Sequence, residues 1–187
     1  MLNNSDIMRT KRSIFDTIAD LRKSESINVH LDNMDMDCLK DLVAYLRNSH
    51  KHYIEYSIPH LHEAIHAMLT DCDTQVSAAM NSFFDDYEKH LQQHFRYEEK
   101  HLFPYADSLI AGKDVDFTRI PEHNSNHSGM ENSLHDMETL IINHINSTDK
   151  VTVLFYLFRL EDEIHKHVIL EERVLVPLIN KLVSADE

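Results

Sequence analysis

One eleven-residue sequence is written twice in this chain. His94-Phe-Arg-Tyr-Glu98-Glu99-Lys-His-Leu102-Phe-Pro104 returns as His167-Val-Ile-Leu-Glu171-Glu172-Arg-Val-Leu175-Val-Pro177, with His, Glu, Glu, Leu and Pro at the same offsets. On a helix, residues four apart lie one above the other on one face. Each copy therefore aims an imidazole and a carboxylate at the same point and then meets a proline, near which its helix is expected to end. Two such helices facing each other would bring two His and two Glu to one buried spot, which is the makings of a metal site.

The rest of the chain suits that arrangement. Only two Gly and four Pro occur among 187 residues, and so few breakers point to a mostly helical chain. The apolar periodicity predicts four long helices. The first runs from about residue 37 to 69, with Leu39, Leu42, Val43, Leu46, Tyr53 and Ile54 inward and a kink at Pro59. The second follows a cap at Asp73 and Thr74, carries Val76, Met80, Phe83, Phe84, Tyr87, Leu91 and Phe95, and continues past Pro104 no further than about Gly112. The third starts near Pro121 and carries Met130, Leu134, Met137, Ile141 and Ile142; the fourth follows Asp149 and runs to about Val183. Short connections between long helices make an all-α, up-down four-helix bundle. Residues 1–36 are expected to form an extra N-terminal helix and a linker, and residues 37–187 the bundle.

Charge and cysteine usage limit the partners. A formal charge of −14 with scattered Lys and Arg argues against nucleic acid. Cys38 and Cys72 are isolated, which fits a reducing compartment. No apolar stretch resembles a leader or a membrane span, so the expectation is a soluble cytoplasmic protein, monomer or homodimer.

Fifteen histidines are far more than a chain of this length needs for structure. His-x-x-x-Glu occurs a third time at His127 and Glu131, with His123 one turn earlier. On the first helix the candidates are His50, His52, His62 and His66. Imidazole and carboxylate without thiolate suit iron, manganese or zinc. Carboxylates able to bridge favour a metal pair, ~3.5–4 Å apart. His144 is expected at a helix end, where an imidazolium complements the dipole. His30, His60, His135 and His165 read as surface residues, His62 and His66 lean the same way, and His90 and His101 flank the site on the second helix. Tyr53, Tyr87 and Tyr97 read first as core and second as hydrogen-bond donors to a ligand.

These residues resemble the hemerythrin-like (HHE cation-binding) domain, and in particular its branch of di-iron proteins that repair iron centres. The resemblance covers roughly residues 37–182 and rests on Leu42-Val-Ala-Tyr-Leu-Arg-Asn-Ser-His50 with Ile58-Pro59 downstream, on both repeats, and on His127-Ser-Gly-Met-Glu131. It implies two carboxylate-bridged, non-haem irons held by His50, His94, Glu98, His127, His167 and Glu171, with His123 as a seventh ligand. His50 and His52 compete for the place on the first helix. The implied roles are binding or sensing O₂ or NO, or donating iron to damaged iron-sulfur proteins under stress, rather than enzymatic turnover. The repair branch usually carries an N-terminal vicinal Cys pair, which this sequence lacks. A ferritin-like di-iron peroxidase or ferroxidase is the competing class. Its Glu-x-x-His pattern occurs at Glu63/His66 and Glu98/His101.

Overall fold

The computed structural model describes Leu31 and residues 34–113 and 127–184, without the side chains of His127, Ser128 and Glu131. The expected N-terminal helix over residues 1–30 and the start of a helix near Pro121 lie outside the described residues. Every regular element among them is helical: α1 (Met36–His52), π1 (Tyr53–Ser57), α2 (Ile58–Leu69), α3 (Thr74–Tyr97), π2 (Glu98–Leu102), α4 (Phe103–Ile110), α5 (His127–His144), α6 (Lys150–Leu170), π3 (Glu171–Leu175) and α7 (Val176–Ser184). No described helix is long and apolar enough to cross a membrane.

The three π segments share one cause. Each is followed at its second residue by a proline: Pro59, Pro104 and Pro177. Proline has no N–H to donate, and its ring collides with the carbonyl four residues back. Those carbonyls belong to Glu55, Lys100 and Arg173, all inside the π segments. A wide i→i+5 turn moves the carbonyl aside and lets the helix continue. The flanking residues keep α-helical dihedrals, with Leu170 at φ −61°, ψ −39° and Val176 at φ −62°, ψ −47°. The helices pass their prolines and end at Ile110 and Ser184, close to the expected limits of about Gly112 and Val183; the wide turn ahead of each proline is what the sequence does not show. Pro59 likewise meets a π turn.

Helix ends follow local chemistry. Asp73 caps α3 by accepting from the Gln75 N–H at 2.8 Å, as its sequence position predicted, and Asp35 caps α1 by accepting from the Cys38 N–H at 3.0 Å. Gly112 closes α4 with φ +60°; Gly112 N–H donates to Leu109 O and Lys113 N–H to Ser108 O, the paired bonds of a Schellman stop.

The described residues form two compact units. In the first (34–48, 98–113 and 166–184, with Leu31), Leu39, Leu42, Leu46, Leu102, Phe103, Leu175 and Leu178 are fully buried in one core. Lys181 Nζ pins the chain leading into α1 by donating to the carbonyls of Leu31 (2.6 Å) and Met34 (2.9 Å). Arg47 donates to Asp107 at 3.2 and 2.7 Å and to Glu99 at 3.4 Å, and its guanidinium lies 5.3 Å from the centre of the Phe103 ring.

In the second unit (49–97 and 127–165), α2 packs on α3 and α3 on α5. Its buried residues include Leu61, Ile65, Phe84, Leu91, Phe95, Leu134, Met137, Ile141 and Leu157. Ile54, Val76 and Ile142, expected inward, are exposed. Tyr53 and Ile141 hold the buried positions beside two of them, and adjacent helical residues differ by about 100° in direction.

Candidate metal centre

Each repeat opens its π segment with the carboxylate of the His-x-x-x-Glu pair. Glu98 is the first residue of π2 and Glu171 the first of π3, and both are completely buried. His167 is buried and His94, one turn ahead of Glu98, is half-buried. One ligand atom from each of His94, Glu98, His167 and Glu171 lies within 4.8 Å of the others, and His167 Nε2 stands 3.5 Å from Glu98 Oε2. Metal–ligand bonds of ~2.0–2.2 Å separate neighbouring donors by roughly 3–3.5 Å, so small side-chain adjustments would close this group on an ion.

The donor chemistry fits a cation. Moving a carboxylate out of water costs several kcal/mol even after relaxation, and here two of them share one buried spot. A divalent ion offsets both that cost and their mutual repulsion. The absence of thiolate matches iron, manganese or zinc.

His50 is buried and stacks on Phe95, with ring centroids 4.0 Å apart and planes at 21°. Tyr53 stacks on Phe95 as well, at 5.7 Å. His50 and His52 differ in helix register. Leu42, Leu46 and His50 repeat every four residues on the face that is buried. His52 lies about 200° around the helix from His50. Its side chain is 44% exposed, stacked on Tyr56 and 4.0 Å from Glu163 Oε2. His50 is not among the four clustered residues. His123 lies outside the described residues, and of His127 only the backbone, at the start of α5, is described.

The remaining histidines among the described residues are outward-facing, and His30 lies outside those residues. His62, His66, His90, His101, His135, His144 and His165 are exposed, and half-buried His60 bonds through Nδ1 to Tyr56 O at 2.7 Å. His90 and His101 are therefore not part of the buried group. Glu63 is exposed too, so the ferritin-type pattern finds no buried counterpart in Glu63, His66 or His101. Tyr53 Oη donates to the Glu163 carbonyl at 3.0 Å. Burial pushes the Tyr87 phenol far above its ordinary range, helped by Tyr53 and Glu161.

A second group of potential ligands escaped sequence reasoning: His135, Glu138 and Glu161. Glu138 is buried, and its carboxyl is pushed up to about 7, first by burial and then by the charge of Glu161; His135 opposes the shift, and a hydrogen bond with Glu161 adds to it. A glutamate on a polar-looking helix gives no sequence signal of burial. The three-residue step from His135 to Glu138 was the only hint.

The hemerythrin HHE cation binding domain model matches residues 41–179. The chain belongs to the hemerythrin HHE domain family. Searches of the curated proteins and of the solved structures returned no match. The match spans all four helical stretches and both repeats, so the all-α bundle of the hemerythrin type is the fold, and cation binding is the property the family shares. Within this HHE domain, the buried His/Glu group is where described residues could hold such a cation.

Proposed function

We propose that this HHE domain is a non-haem di-iron protein. Glu98 and Glu171, with His50, His94, His127 and His167, would hold the iron pair, and His123 would be a seventh ligand. The observation that carries the reading is the convergence of His94, Glu98, His167 and Glu171, three of them buried, to within 4.8 Å. When bound, an iron pair supplies redox chemistry and a coordination position for O₂ or NO. The chain's part is to supply the compensating negative charge from Glu98 and Glu171, to orient the imidazoles, and to keep bulk water out with buried residues such as Phe95, Leu102 and Leu175.

Binding or sensing O₂ or NO is the first use. Complete burial of both carboxylates favours iron that stays in place, whereas donation to damaged iron-sulfur proteins needs iron that leaves readily. The test is metal content by mass spectrometry and an absorbance spectrum of the same freshly purified sample in air. About two irons per chain, with the near-ultraviolet bands of a bridged ferric pair, are expected. One zinc, or unchanged iron in both Glu98→Ala and Glu171→Ala, would overturn the assignment. A strong chelator then separates the uses: retained iron fits gas binding, and rapid loss fits donation.

A further inference from the structure

Helix α5 carries His135 and Glu138 one turn apart, and α6 carries Glu161. One ligand atom from each lies within 4.8 Å of the other two, with His135 Nδ1 3.7 Å from Glu138 Oε2. The Glu138 side chain is only 5% exposed, and among the described residues its Oε1 has no hydrogen-bond partner. A buried carboxylate oxygen without a donor is costly, and a second carboxylate beside it raises the cost. The other two groups open outward: the His135 ring is 72% exposed and Glu161 is half-buried. The exposed imidazole has room to swing the short distance that ~2.0–2.2 Å metal bonds require.

We propose that His135, Glu138 and Glu161 form a second cation site. It takes one exchangeable first-row transition-metal dication, Zn²⁺ or Fe²⁺, through one imidazole and two carboxylates. Donor type selects this class: a nitrogen ligand disfavours Mg²⁺ and Ca²⁺, which prefer all-oxygen shells. Water completes the coordination, because two of the three ligands face solvent. That exposure makes the ion labile, in contrast to one enclosed by Glu98, His167 and Glu171. The bland alternative is a carboxyl pair: Glu138 keeps a proton, shares it with Glu161, and binds no metal.

Zn²⁺ titrated by calorimetry into the iron-loaded full chain decides between them. The variants are His135→Ala, Glu161→Gln and, as an exposed-histidine control, His144→Ala. The native chain is expected to take up one zinc. His135→Ala and Glu161→Gln should each bind it roughly tenfold or more weakly. His144→Ala should match the native chain, and iron content should be equal in all four. Absence of zinc uptake by the native chain would establish the proton-sharing pair. Equal affinity in the native chain and His135→Ala would also overturn the site, as would an equal loss in His144→Ala. Iron released in step with zinc uptake would mean that zinc enters the buried group. Iron missing from His135→Ala would overturn a separate site as well.

Discussion

The two copies of the repeat place the same candidate ligands in different surroundings. Between His167 and Glu171 stand Val168, Ile169 and Leu170, all buried, so this turn of helix is enclosed on every side. Between His94 and Glu98 stand buried Phe95, exposed Arg96 and half-buried Tyr97, so the first copy hides one face and shows the other to water. Correspondingly, His167 is buried and His94 only half so. The five shared positions include the candidate ligands, His and Glu four on, and the proline after the wide turn; the other two are an exposed Glu (Glu99, Glu172) and a buried core Leu (Leu102, Leu175). The residues that differ are set by how much of each helix the surrounding core covers. A repeat can thus preserve a site while its two halves carry unequal shares of the folding energy.

The largest effect should come from the carboxylates. Glu98→Ala and Glu171→Ala should each lose most of the bound metal, measured per chain after identical purification, because each removes a completely buried anion from the group. If only one variant loses metal, the copies are not equivalent as ligands and the bridging assignment fails. Next, His167→Ala should lose more metal and melt lower than His94→Ala. Truncating the enclosed ring leaves a cavity among packed neighbours, at a cost of roughly 2–4 kcal/mol, while water can fill the space vacated by the half-buried one. Equal melting shifts would erase the contrast between the copies.

Legibility in the sequence follows the same division. The four helical stretches could be read because apolar residues recur with helical period and turn signals such as Asp73 and Gly112 mark the ends. That His94, Glu98, His167 and Glu171 lie together was legible because the two copies agree in register at five positions. The sequence leaves His50 and His52 as a pair; the structure buries His50 on the face of Leu42 and Leu46 and leaves His52 exposed. The π turns are not legible: the sequence places a kink at Pro59 and helix ends some residues beyond Pro104 and Pro177, with no sign of a wide turn ahead of each proline. Sequence says that proline breaks an α-helix, but not that five residues ahead of it will widen to absorb the clash. Glu138 stayed hidden because its burial depends on what packs against α5, which no local pattern encodes.

The π turns offer a finer break. If proline imposes the wide turn, Pro104→Ala and Pro177→Ala allow a return to α geometry. That removes one residue's worth of offset and turns Glu98 or Glu171 by about 100° relative to the helix beyond it. Each variant should fold, yet lose iron to a chelator several-fold faster, with the larger change for Pro104→Ala because the half-exposed first copy has fewer neighbours holding its register. Unchanged retention in both would mean that packing, and not proline, holds the turns open.

The smallest expected effect concerns a contact beside the first copy alone. Arg47 grips Asp107 with two hydrogen bonds and reaches Glu99, the residue after Glu98, so it ties α1 to π2 and α4. Its side chain is 35% exposed and its partners more so. Screening therefore limits the ion pairs to about 1 kcal/mol, and Arg47→Met, which keeps the apolar stem over Phe103, should lower the melting temperature only slightly. Its effect on the metal should be larger than its effect on stability, because a tether one residue from a ligand restrains where that ligand points; changes in such supporting contacts typically cost about 10–100-fold in metal affinity. The measurement is the chelator-driven rate of iron loss set beside the thermal melt. Faster iron loss with a nearly unchanged melt makes Arg47 a positioning residue for Glu98. Parallel changes in both would make it an ordinary surface brace, and the asymmetry between the copies would then rest on burial alone.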